Sequence, residues 1–133
     1  MSVFAGIEKV DPIERLKQHK ITKMLWQQLC EKGIRKGDKG RINAYLVADL
    51  YEQAESLKAE YQGGFKVTIF EQDESSKYLI EIITPVCNLS NEALEELADM
   101  LMISAVDTKT QFDGFEIDMN EVKKLKPPWW RIW

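Results

Sequence analysis

Apolar and polar positions alternate along Ile42–Ala48, with Ile42, Ala44 and Leu46 on one side and Asn43, Tyr45 and Val47 on the other. A period of two predicts a half-buried strand. The period then turns helical. Leu50, Ala54, Leu57 and Tyr61 fall at i, i+4, i+7 and i+11, behind a capping box of Asp49 and Glu52 and ahead of a stop at Gly63 and Gly64. This predicts a helix over 49–61. Alternation returns twice, over 65–71 (Phe65, Val67, Ile69) and over 77–84 (Tyr78, Ile80, Ile82), with the polar loop 72–76 between them and Pro85 closing the second run. The pair predicts a hairpin. Leu94, Leu97, Ala98, Leu101 and Ala105 predict a helix over 91–106, with Glu92, Glu95, Glu96 and Asp99 in its first turns, where the helix dipole favours acids. Phe115, Ile117 and Met119 alternate in a last strand over 112–119, and the glycine of Asp113-Gly114 permits a bulge or a kink near its start.

The order strand, helix, strand, strand, helix, strand predicts an α+β ferredoxin-like βαββαβ sandwich, a four-stranded antiparallel sheet with both helices on one face. Its span is 42–119. Ahead of it, Asp11, Pro12 and Glu14 start an extra amino-terminal helix in which Ile13, Leu16, Ile21, Met24, Leu25 and Leu29 keep helical spacing, with Lys17, Lys20 and Lys23 elsewhere around the cylinder. Gly33 ends it. Residues 33–40, rich in glycine and lysine, lack phosphate-loop spacing and read as a mobile linker, so that 1–41 forms a basic appendage. Residues 120–133 form a basic tail; its end, 127–133, carries Trp129, Trp130 and Trp133, and Pro127 and Pro128 exclude a helix through that end. The sheet's second face would show Tyr45, Val47, Phe70, Leu79 and Ile83, too apolar a group for open water. The helix, the tryptophan tail, a second copy (a homodimer) or a partner protein would cover it.

Charge sharpens this picture. The net charge is −4, but residues 42–121 hold 17 acids against four bases, while 1–41 holds ten bases against five acids. An acidic domain between basic arms repels phosphate backbones and attracts basic protein surfaces. No apolar run reaches the ~18–20 residues of a membrane span, and the amino terminus lacks a secretory pattern, so a cytoplasmic protein is expected. Cys30 and Cys87, far apart in sequence, read as reduced structural thiols.

Catalytic parts are missing from the pattern. His19, the single histidine, sits among lysines and reads as a surface residue. No metal cluster, cofactor motif or catalytic residue is expected. RNA binding by the sheet is disfavoured, because Glu81, Glu116 and Asp118 fall on the face that would stack bases. The candidate partner-binding residues are Asp73 and Glu74 in the hairpin loop, Glu92, Glu95, Glu96 and Asp99 on the second helix, and Trp129 and Trp130, since tryptophans are frequent interface anchors.

Ala44-Tyr45-Leu46 leading into a helix, Gly64-Phe65-Lys66-Val67, the Leu89-Ser90 link to an acidic helix and the closing Phe112-Asp113-Gly114-Phe115-Glu116 together resemble the regulator of ribonuclease activity B family. The resemblance covers 42–119 and is most distinctive at Phe112, Asp113, Gly114 and Phe115. It implies a small acidic ferredoxin-like protein that inhibits ribonuclease E by binding it, without catalysis. The basic amino-terminal helix and tryptophan tail depart from that family's acidic flanks. Two other roles suit the same scaffold: an immunity protein that neutralises a nuclease toxin, and a small ligand-binding domain that uses the open sheet face.

Overall fold

The computed structural model describes residues 6–72 and 74–126. In chain order they form α1 (Pro12–Glu31), β1 (Lys39–Gly40), β2 (Ile42–Ala48), α2 (Tyr51–Tyr61), β3 (Lys66–Glu71), β4 (Tyr78–Ile83), β5 (Cys87–Asn88), α3 (Asn91–Thr108), β6 (Gln111–Ile117) and α4 (Met119–Leu125). The main sheet runs β3-β4-β2-β6, every neighbour antiparallel. That is the ferredoxin-like α+β sandwich, with α1 added to it. Ala44 pairs with Ile82 and Leu46 with Ile80, and all four are fully buried. Helices α2 and α3 pack on this face, and Leu57 and Leu101 are both 0% exposed. Each such leucine contributes about 1.5–3 kcal/mol through burial. The alternate positions Tyr45, Val47 and Leu79 face the other way and stay half-buried.

The bulge expected at Asp113 and Gly114 is present. In the β2–β6 ladder Tyr45 pairs with Gly114 and Leu46 with Phe112, which leaves Asp113 as an extra residue. Phe112 and Phe115 lie three positions apart and would face opposite sides of a regular strand. The extra residue brings both to the Leu46 and Ala44 side, where their rings sit 5.0 Å apart, edge to face. Gly114 supplies the φ of 114° that the bulge requires. Nothing lies within 4 Å of a Cβ built there, so Gly114→Ala strains the backbone without a clash. An expected cost of about 1–2 kcal/mol follows, measurable by urea unfolding. Unchanged stability would show that the bulge does not depend on the glycine.

Four expectations are corrected. The residues read as a mobile linker are fixed: Ile34 is 1% exposed, Gly37 N and Leu89 N donate to Leu89 O and Asp38 O, and β1 pairs with β5. The last strand ends at Ile117, and Asp118 caps α4 by accepting from the amides of Asn120 and Glu121. Asp118 is thus a helix cap and not part of the sheet face. Helix α2 starts two residues late: Leu50 is its N-cap, and Gln53 Oε1, not an Asp49–Glu52 box, accepts the Leu50 amide. On α1 most of the predicted apolar stripe faces outward. Ile13, Leu16, Ile21 and Met24 are 57–64% exposed, while Thr22 and Leu29 are buried. The tail 127–133, with Trp129 and Trp130, and Asp73 lie outside the described residues.

Candidate functional site

Helix α1 runs antiparallel to α3, and a ladder of polar and charged contacts, begun by Lys9 just ahead of α1, joins the two. Lys9 Nζ lies 3.2 Å from Asp107 Oδ1. Arg15 donates to both carboxylate oxygens of Asp99, Nε to Oδ1 and Nη2 to Oδ2, each at 2.9 Å. His19 Nε2 lies 2.7 Å from Asp99 Oδ1, and its Nδ1 is 3.7 Å from Glu95 Oε2. The carboxylate only accepts here, so Nε2 donates. Burial pushes the Asp99 carboxyl up, but the hydrogen bonds from Arg15 and His19 outweigh it and hold the group below its ordinary value. In turn, Asp99 raises the pKa of Arg15 against the opposing effect of burial.

This geometry divides the four predicted α3 acids. Asp99 is buried and engaged, and Glu95 accepts from Asn91 Nδ2 at 2.8 Å beside His19. Asp99 is not free for a partner, Glu95 is half-buried and bonded within α3, and His19 is not a bare surface residue. Glu92 and Glu96 are exposed, on a helix whose first turn Ser90 caps through Ala93 N. Glu74 is exposed in the hairpin turn. The α2 residues Glu52, Glu55 and Glu60 are exposed on the same helical layer. The sequence carried a signal for this ladder. Arg15 and His19 are one helical turn apart, as are Glu95 and Asp99, which is the spacing two facing helices need.

The family-like motif is structural. Phe112 and Phe115 pack against Ala98, Met102 and Val10. Its Asp113 side chain is exposed and rims a groove on the other side of the sheet. This groove, about 540 Å³, lies between α1 (Ile21, Met24, Leu25) and the sheet (Tyr45, Gly114, Glu116). Tyr45 Oη stands 3.3 Å from Glu81 Oε2 and 3.1 Å from Glu116 Oε2. Burial foremost, together with these carboxylates, pushes the Tyr45 phenol up, so it serves as a neutral donor between two acids.

A second network braces α2 to α3. Ser104 Oγ donates to Glu60 Oε1 at 2.7 Å and takes the Tyr61 hydroxyl at 2.6 Å. Burial pushes Tyr61 up to about 12, so it stays protonated at neutral pH. Cys30 and Cys87 are half-buried and unpaired. Among the described residues no group of three or more His, Cys, Asp and Glu side chains could hold a metal, and no helix is long and apolar enough to cross a membrane. No protein-family model and no curated protein matches the chain.

Proposed function

We propose that this chain is a non-catalytic protein-binding regulator that modulates a ribonuclease of the ribonuclease E kind through its acidic helical face. The observation that carries this reading is the set of exposed acids Glu52, Glu55, Glu92 and Glu96 on one layer, within a segment of 17 acids and four bases. Such a face raises the encounter rate with a basic surface and turns nucleic acid away. The resemblance over 42–119 supplies the class of partner. Asp99 drops out of the contact set because Arg15 and His19 of α1 hold it, and Glu95 because it is half-buried and bonded to Asn91 within α3. Glu74, Glu92 and Glu96 remain.

The test is inhibition of RNA cleavage by a purified ribonuclease E, with association rates measured at low and high salt. Cleavage is expected to slow, and association to weaken as salt rises. Rim charges are worth about 0.2–1 kcal/mol each. Glu74→Gln, Glu92→Gln and Glu96→Gln combined should therefore weaken binding clearly more than any one alone. Glutamine removes the charge without opposing the α3 dipole. Absence of binding at low salt would overturn the reading.

A further inference from the structure

The open face of the sheet and the outer side of α1 adjoin across the groove and make one apolar surface with opposite charges at its two ends. On α1, Ile21 and Met24 stand 57% and 59% exposed beside exposed Lys17, Lys20 and Lys23. On the sheet, Phe70 is 46% exposed and Tyr45, Val47 and Leu79 are half-buried, among three acids, Glu81, Glu116 and Asp113, and one base, Lys66. Contiguous apolar surface rimmed by charge marks an interaction site. A uniformly basic partner would be drawn to the sheet end and repelled by the lysines of α1. A surface that is basic at one end and acidic at the other is matched by itself after a half-turn, which is the requirement of a two-fold interface.

We infer that this face docks a second copy of the chain about a two-fold axis. The α1 helix of each protomer then lies along the sheet of the other. Lys17 and Lys20 approach the acidic end of the second sheet, while Ile21, Met24 and Phe70 leave water together. The inference does not depend on the ribonuclease reading, because the acids of α2 and α3 lie on the opposite side of the sheet and stay open in such a dimer.

Sedimentation equilibrium of the full chain at concentrations up to roughly 100 µM tests it. The expected species has twice the 15.4 kDa mass of one chain. Met24→Glu and Phe70→Glu, both at exposed sites that circular dichroism can show to be folded, should each weaken the dimer at least about tenfold. Lys20→Glu and Glu116→Lys should each weaken it alone and restore it when combined, because the reversed charges again match. A monomer at every concentration would overturn the inference. So would a dimer indifferent to Met24→Glu and Phe70→Glu, which would place the contact elsewhere. A chain that dimerises only after residues 127–133 are removed would also overturn it, since the tail would then be the natural occupant of this face.

Discussion

Asp99→Ala should lower the stability of the fold by about 2–3 kcal/mol, measured by urea unfolding at neutral pH. Breaking a fully buried ion pair costs about 3–5 kcal/mol, because the remaining charge is left without a partner. Here the Asp99 side chain is 8% exposed, but that of Arg15 is 36% exposed and can regain water, which reduces the loss. Replacing both groups with apolar residues, Arg15→Met with Asp99→Leu, leaves no such orphan and should recover most of the stability. The pH dependence has a definite sign. Hydrogen bonds hold the folded Asp99 carboxyl below its ordinary value, so its contribution is complete above an unfolded pKa of about 3.9. It is lost as pH falls through the lower, folded value. Asp99→Asn should flatten this part of the acid limb. Wild-type stability in Asp99→Ala would show that Leu25, Trp26 and Leu29 hold α1 without the charges.

Gly40→Ala should cost about 1–3 kcal/mol by overpacking. A Cβ at Gly40 would stand 2.8 Å from Val122 Cγ2 and 3.2 Å from Leu89 Cδ1, and Val122 and Leu89 are both 0% exposed. Neither has open space into which to swing. The strain should fall on α4, which Val122 anchors against β1. Val122→Ala alone leaves a void and destabilises as well. In the Gly40→Ala background the new methyl group fills that void, so the two costs should fall short of their sum. A coupling of at least about 0.5 kcal/mol between the two sites is expected. Strictly additive costs would mean that the strand shifts and α4 does not give way.

The parts of the fold that could be read from the sequence are those whose cause is local. Alternation over Ile42–Ala48 assigned the buried and open faces residue by residue, and Asp113-Gly114 announced the bulge. Helix α4 was also legible: Asp118 stands three positions before Glu121, just ahead of Val122 and Leu125. It was masked by extending the strand alternation to Met119. The orientation of α1 could not be read from apolar spacing. Its buried side carries Arg15, His19 and Thr22, because a partner for the first two waits on α3, 84 and 80 positions away in sequence. Residues 33–40 look like a linker in composition, yet the small size of Gly40 and the side chain of Ile34 are what let this segment close against the core. At the candidate site, exposed Glu92 and Glu96 could be told from engaged Glu95 and Asp99 only once the position of α1 was known.

The bulge at Asp113 also matters to molecules the chain does not need to meet. Strand β6 is an outer strand of the sheet, and a straight outer strand is a template for strands of other chains. The extra residue interrupts the even run of backbone donors and acceptors, and the glycine increases the local twist. At the opposite edge, β3 begins at exposed Lys66 and ends at exposed Glu71, placing a charge at each end of that strand. The turn that brings two phenylalanines into the core thereby also makes this border of the sheet a poor seed for fibrils.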